Sequence, residues 1–447
     1  MTGTNPRFVV PAQAGIRKER AYPPDARLRG HDARMLSELL TSGGKDRNPL
    51  SREGKTLPLP DRGRFLLDIE PLISCAPSPG AALREVTMDR KDRAVELLTE
   101  LSGAHGAPGC ENEVRRIVRR YFPTAHTDPM GNIFVEKEGS ASTPRILLTA
   151  HMDEVGLMVQ AVLRSGLIKF VPLGGWWAHT LLAQRMRIRT GDGRELPGVI
   201  GAKPPHFLSE SERDKVVKIE DMFLDVGARD DEEVRRLGIR IGDPIVPDTS
   251  LTLMGNPDFL LSKAFDNRCG MALMIQVLEE LRQVPHPNTL WAAGTVQEEV
   301  GVRGARTAVY GINPDAAIVL EGCPADDLPG TPEDERQGAL GKGVQIRRMD
   351  PSAMMNRAFV DYALETARSR DIPHQEAVRR SGGTDARAVH LHGRGVPTLV
   401  LGVPARYIHT QHSIVCVQDY LSALQLALEL IGRLDEDRVC RFTQFDD

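Results

Sequence analysis

The sequence predicts an α/β protein, a sheet with helices on both faces interrupted by a smaller β-rich insertion. From residue 88 to 434, short apolar runs alternate with helical segments, the order expected of strands and helices sharing one covered sheet. Runs such as 146–149 within "RILLTAHMDEVGLMV" are apolar without alternation, as a parallel strand buried on both faces must be. Between about 160 and 250 the pattern changes to short Val/Ile-rich pieces punctuated by Gly and Pro, as in "GLIKFVPLGGWW", "RMRIRTGDGRELPGVIGAKPP" and "GDPIVPD", which reads as a β-rich insertion.

The elements follow in chain order. Residues 1–87 are rich in Arg, Pro, Gly and Asp and lack sustained periodicity, so they are expected to be a disordered or mis-started extension. The opening "VVPAQAGIRKERAYPPDARLRGHD" is similar to a translated bacterial intergenic repeat, and Met88 is the expected start. Two amphipathic helices separated by a Gly/Pro loop come next, with Glu111 placed to begin the second. "NIFVEKEG" reads as a short strand ending at a turn, and "RILLTAHMDEVGLMV" as a strand leading into chemistry and a further apolar stretch. After the insertion, "FDNRCGMALMIQVLEELRQV" is an apolar helix and "TLWAAGTVQEEVG" a strand running into polar residues. "AAIVLEG" and "GVPTLVLGVP" are strands, each followed by a helix, "SAMMNRAFVDYALETARSR" and "VQDYLSALQLALELIGRL". The expected organisation is therefore a main α/β domain of 88–159 and 251–434, an insertion of 160–250, and a tail of 435–447.

Composition narrows the function. With 447 residues, 41% apolar, the chain is long enough for two folded domains. Its 57 basic and 61 acidic residues are interspersed, giving a net charge of −4, and no basic domain points to nucleic acid. Six cysteines stand singly, without a CxxC pair, so neither a disulfide framework nor a thiolate metal site is expected. No apolar run approaches the roughly 18 residues that span a bilayer, and the N-terminus lacks the charged and apolar regions of a signal peptide. A cytoplasmic location without membrane partners is the expectation.

The candidate chemistry lies just beyond the apolar runs. His151 and Asp153 follow "ILLTA", Glu298 and Glu299 follow "LWAAGTVQ", Glu321 follows "AAIVL", and His409 comes shortly after "TLVLGVP". In open α/β sheets ligands gather outside the carboxyl ends of strands, so these distant residues can meet at one rim. Two histidines with several carboxylates suit Zn²⁺, Co²⁺ or Mn²⁺. A pair of such ions needs a bridging carboxylate, for which Asp266, at the entrance of the long helix, is the candidate. Adjacent side chains point opposite ways in extended chain, but a turn can aim both Glu298 and Glu299 at one site, one to bind metal and Glu298 to carry a proton. Singly these signals are weak. "EE" is usually a solvated pair, "GGTDA" reads as a turn, and His105, His126, His179, His206, His374, His390, His392 and His412 read as ordinary polar residues. The joint placement carries the argument.

At these residues the chain resembles the tetrahedral (TET) aminopeptidases, family forty-two of the metallopeptidases, which includes glutamyl aminopeptidases and proteins formerly labelled endoglucanases. The resemblance spans about Met88 to Leu434 through "GNIFV", "AHMDEVGLMV", "LGGWW", "KAFDNR", "QEEVGVRGA", "LGKG", "GGTDA" and "RYIHT". It implies a zinc-exopeptidase-like α/β metallopeptidase sheet interrupted by a β-barrel-like insertion that builds oligomer contacts. It also implies that His151, Asp266 and Glu321 hold one divalent ion and Asp266, Glu299 and His409 the other. Asp153 would orient His151, and Glu298 would be the general base. Glu321 stands where many members carry Asp, within the "LEG" context of a subset of the family. The implied activity is removal of N-terminal residues from short peptides by a homo-oligomer, from dimer to hollow tetrahedral dodecamer. The competing expectations are a metal-dependent deacylase of N-acyl amino acids on the same fold and a metal-free glycoside hydrolase using Glu298.

Overall fold

The computed structural model describes residues 79–445, with side-chain surroundings from residue 90. The expected extension therefore lies, up to residue 78, outside the described residues. The first helix runs Pro79–Gly103 and so begins upstream of Met88. The fold is the expected α/β class: helices pack on a sheet of twelve strands, and six further strands close a barrel.

Four strands form the parallel centre of the sheet, in spatial order Thr289–Thr295, Arg145–His151, Ala316–Pro324 and Thr398–Arg406. Alternation along them decides which face each side chain covers. Ile146, Leu148 and Ile318 enter the larger core with Leu97, Leu101, Phe265, Leu273 and Leu424. Leu147, Ala293 and Ala317 point the other way, into a smaller core with Ala308, Val309 and Val389. Both faces are thus covered, which is why the strands are apolar throughout. The helix Phe265–Glu280 is buried along nearly its whole length between the sheet and the helices Pro79–Gly103 and Val417–Ile431.

The Gly-punctuated block folds as the closed barrel, from Gly156–Val162 to Pro244–Pro247, around a core that includes Leu157, Phe170, Met186, Ile188, Leu224 and Ile245. Closure removes exposed sheet edges.

Several elements depart from the sequence reading. The helix read at "SAMMNRAFVDYALETARSR" begins only at Arg357, because Asn356 caps it by accepting the Phe359 N–H at 2.9 Å. Ala353 and Met354 instead pair with Asp350 and Met349. Val344–Asp350 and His374–Val378 are strands that the sequence reading lacked. Beyond Leu434, Glu436–Arg441 is a helix, and Phe442 stacks on Phe359 with ring centroids 4.5 Å apart. Among the described residues no helix is long and apolar enough to cross a membrane.

Candidate active site

Strand register brings the chemistry together. Thr295 pairs with His151, and Glu321 with Gly402. Val319 pairs with Thr149, so two residues further on Glu321 and His151 end in the same row at the carboxyl edge of the parallel strands. The remaining groups arrive on turns, each with a non-glycine residue in the left-handed region: Ala264 (φ 58°) before Asp266, Gln297 (φ 57°) before Glu298, and His409 itself (φ 56°). Such backbone costs on the order of 1–3 kcal/mol per residue and persists where packing enforces it. Asp266 and Asn267 are themselves non-helical at the start of their helix, which leaves the Asp266 carboxylate facing the strand ends.

Both imidazoles are oriented alike. His151 Nδ1 donates to the Asp153 carbonyl oxygen at 3.0 Å, and His409 Nδ1 donates to the Gly175 carbonyl oxygen at 2.8 Å. With Nδ1 so occupied, Nε2 of each faces the carboxylates. His151 Nε2 lies 3.1 Å from Asp266 and 3.3 Å from Glu321. His409 Nε2 lies 3.3 Å from Asp266 and 3.4 Å from Glu299. His151, Asp266 and Glu321 form one compact trio of ligand atoms, and Asp266, Glu299 and His409 another. Asp266 is common to both.

These residues fit divalent cations. Glu299 Oε1 and both oxygens of Glu321 are buried and accept no hydrogen bond among the described residues, an expensive arrangement unless something positive faces them. Burial, reinforced by neighbouring carboxylates and opposed by the histidines, pushes the Glu299 carboxyl up to about 8 and Glu321 to about 7. Glu298 is raised well above the usual carboxylate range by burial and by Glu299 and Glu321, against the pull of His151. Burial opposes charge on His409, but Glu299 and Asp266 outweigh it and raise the imidazole to about 9. His151 is likewise raised, with Glu321, Asp153 and Asp266 together overcoming burial. Asp266 is held low by the two histidines in spite of burial. Oxygen and imidazole donors without thiolate match Zn²⁺, Co²⁺ or Mn²⁺ chemistry.

Asp153 contacts more than His151. Its carboxylate is 3.5 Å from His151 Nδ1, and the closer contact to that ring comes from its own backbone carbonyl. The carboxylate also accepts the backbone N–H of Glu298 at 2.9 Å and of Glu299 at 3.1 Å. This clasp fixes the turn that aims both glutamates at one cavity. Glu111 supports it from behind: rather than capping its helix by its side chain, it accepts the N–H of Gly109 at 2.7 Å and of Gln297 at 3.2 Å.

A fully buried ion cluster lies beneath. Lys263 contacts both oxygens of Glu154 at 2.6 and 2.7 Å, and Arg268 reaches Glu154 at 3.2 Å. Glu154 thereby ties the segment after His151 to the segment carrying Asp266. His105, read as an ordinary polar residue, is wholly buried, and neither ring nitrogen finds a partner among the described residues. Burial first, then the cations Arg189 and Lys263, keep it neutral. Asp385 of "GGTDA", read as part of a turn, is buried and accepts from the Thr295 hydroxyl at 2.5 Å.

His151, Asp266, Glu298, Glu299, Glu321 and His409 all line one cavity of about 740 Å³, within the range of small-molecule and peptide sites. The barrel contributes to its wall. Gly174 (φ 89°) follows the strand Ile168–Leu173, and a Cβ there would lie 2.7 Å from Val155 Cγ1 and 3.2 Å from Glu299. Only glycine allows both the conformation and the approach. The sequence reading missed Glu111, Asp385 and the two arginines of the cavity, Arg347 and Arg387. Helix-start position and turn composition masked Glu111 and Asp385, and nothing local marks either arginine.

The chain matches the M42 glutamyl aminopeptidase family over residues 131–426. It is 35% identical over 356 residues to the glutamyl aminopeptidase of Lactococcus lactis, covering 78% of this chain and 98% of the relative. Among solved structures it is similar to a TET aminopeptidase from a marine sediment Thaumarchaeota archaeon, with a TM-score of 0.77 and 37% identity, covering 79% of this chain and all of that one. It is also similar to the Pyrococcus horikoshii TET1 peptidase, which can assemble into a tetrahedron or a large octahedral shell. The TM-score is 0.69 and the identity 30%, covering 76% and 100% of the two chains.

Proposed function

The chain belongs to the M42 glutamyl aminopeptidase family of peptide-bond hydrolases, and from that premise we propose that it removes N-terminal residues from short peptides with two divalent ions per subunit. The observation that carries this reading is the pair of ligand trios sharing Asp266, with Glu298 on the same cavity. His151, Asp266 and Glu321 would hold one ion, and Asp266, Glu299 and His409 the other. Bound ions would supply Lewis acidity toward water and the peptide carbonyl, and positive charge for the crowded carboxylates.

The chain's own groups do the rest. Glu298 takes a proton from the attacking water and delivers it to the leaving amine, a general base that becomes a general acid. Its buried setting and high proton affinity suit the second half of that role. Asp153 keeps Glu298 and Glu299 aimed correctly through their backbone N–H groups. A carboxylate such as Glu321 holds the free α-amine, which restricts cleavage to the first residue. The Gly174–Gly175 segment approaches Glu299 and His409 and walls one side of the cavity. The likeness to the TET1 peptidase, which can assemble into a tetrahedron or a large octahedral shell, supports a homo-oligomer; the proposed assembly runs from dimer to tetrahedral dodecamer and the proposed substrates are short peptides.

The test is hydrolysis of aminoacyl-p-nitroanilides before and after chelation, with Zn²⁺, Co²⁺ or Mn²⁺ restored singly. Activity on free-amine substrates that chelation abolishes and metal restores is expected. Cleavage of N-acylated amino acids instead would transfer the site to the deacylase reading.

A further inference from the structure

The proposed reaction occupies the carboxyl ends of the parallel strands. A second cavity, of about 530 Å³, opens near their amino ends, and three parts of the chain wall it. The segment before the strand Arg145–His151 supplies Ser140, the segment before Thr289–Thr295 supplies Pro285, His286 and Pro287, and the end of the chain supplies Arg433 and Arg438. Internal bonds hold these parts together. The Asn288 amide donates to the carbonyl oxygens of Ile431 at 2.7 Å and Leu434 at 2.9 Å, and the Ser140 N–H donates to the His286 carbonyl oxygen at 2.8 Å. Gly139 permits that approach, because a Cβ there would collide with the carbonyl oxygens of Asn288 and His286.

Several polar groups at this cavity are uncommitted. Arg438 lies over the Tyr362 ring, 4.4 Å from its centroid. Among the described residues its guanidinium forms no ion pair and no hydrogen bond, and Asp435 accepts the Arg438 backbone N–H at 2.8 Å instead, as the cap of the helix Glu436–Arg441. Arg433 contacts Glu429 at 2.7 Å, but Arg370 also reaches Glu429 at 3.1 Å, so two cations share one anion. The Ser140 hydroxyl donates at 3.2 Å to the same His286 carbonyl oxygen that the backbone N–H already serves, which leaves it free to turn. His286 is 2% exposed. Since Asn288 spends its amide hydrogens on Ile431 and Leu434, its Oδ1 accepts from His286 Nδ1 at 3.2 Å. Burial, with Lys137 and against the contact to Asn288, keeps the ring neutral. His286 Nε2 is then an acceptor, buried and without a partner among the described residues.

Guanidiniums and a hydroxyl around one cavity suit an oxyanion, and an imidazole lone pair beside them suits an oxyanion that still carries a proton. Carboxylates and sulfate carry none near neutrality, whereas phosphate, with a second pKa of about 6, does. We infer that this cavity binds a phosphate group, free or as a small monoester, with Arg438 and Arg433 on its charged oxygens, Ser140 donating to another and His286 Nε2 accepting the P–OH proton. Pro285, Pro287 and the Tyr362 ring offer apolar surface to an organic remainder. The site stands apart from the metal-ligand trios and does not depend on the aminopeptidase reading.

The test is hydrogen–deuterium exchange, with calorimetry, on the metal-loaded full chain, using AMP, inorganic phosphate and sulfate as probes. Backbone amides of residues 138–142 and 432–440 are expected to gain protection with AMP or phosphate and not with sulfate. A charge-assisted hydrogen bond corresponds to about tenfold or more in affinity, so Arg438→Gln should weaken binding by that factor. Ser140→Asp, a change at an exposed position, should weaken it too, by placing a carboxylate against the phosphate without disturbing the core. Tighter binding of AMP than of phosphate assigns a monoester, and equal binding assigns the free ion. Protection confined to the cavity of His151 and His409, where bound cations also attract phosphate, would overturn the inference. So would sulfate bound as tightly as phosphate, affinity unchanged in both variants, or no binding by the unmodified chain.

Discussion

The Asp153 carboxylate accepts the backbone N–H of Glu298 at 2.9 Å, so the residue two places after a candidate metal ligand sets where the candidate base points. The adjacent Glu299 N–H is held by the other oxygen at 3.1 Å. Asp153→Asn keeps the shape but replaces one acceptor with a donor, which would face an N–H. Supporting contacts of this kind are worth about 10–100-fold in activity or metal affinity, and a loss of kcat/KM in that range is expected. Steady-state kinetics beside an unchanged circular dichroism spectrum checks it.

Glu298→Gln removes the proton carrier while leaving the ligand trios intact. General acid–base groups contribute about 10²–10⁴-fold, and kcat is expected to fall within that range while zinc content is retained. Zinc lost in parallel with activity would make Glu298 a ligand instead of a base.

Metal-free protein should be stabilised by acid between pH 8 and pH 7. Glu321 and Glu299 are raised to about 7 and 8, and His409 to about 9. All three have folded pKa values above their unfolded ones, so the folded state binds more protons in this window and stability falls as pH rises. His105, held far below its usual value, titrates in the unfolded chain only below this window. Lys263, lowered to about 8 by burial against the pull of Glu154, acts in the opposite sense from the upper part of this window onward, one group against three. Thermal unfolding of chelated protein should therefore show a lower Tm at pH 8 than at pH 7. Bound cations displace these protons, so metal-loaded protein should lose that slope.

Glu154→Gln leaves Lys263 and Arg268 buried without their shared anion. Breaking a buried ion pair costs about 3–5 kcal/mol, and denaturant unfolding should report a loss of that order. Without Glu154, which holds its proton affinity up, Lys263 releases its proton below pH 8, so the loss should shrink as pH rises toward 8 and level off above it.

The fold class was legible because its strands are buried on both faces. "ILLTA", "AAIVL" and "TLVLGVP" carry a continuous apolar signal that survives without tertiary context. The same rule located His151, Glu298, Glu299 and Glu321, since each follows such a run, and the structure gathers them with Asp266 and His409 on one cavity. What escaped was information carried by pairing partners. Val344–Asp350 contains "RRMD" and looks polar, yet it is a strand because Thr398–Arg406 and His374–Val378 flank it. Asn356 delayed a helix by capping it, although propensity favoured an earlier start. The distinct roles of Glu111, Asp153 and Asp385 depend on backbone N–H groups and hydroxyls reached across the fold, which no local spacing encodes.

The most direct test of the account is the zinc content of the purified chain after reconstitution, measured by plasma mass spectrometry alongside Asp266→Ala. Two trios sharing one carboxylate predict about two ions per chain, as a bridged centre requires, and loss of both in the variant because neither trio survives without Asp266. At most one ion in the unmodified chain, or two retained in Asp266→Ala, would contradict the bridged centre on which the proposed reaction depends.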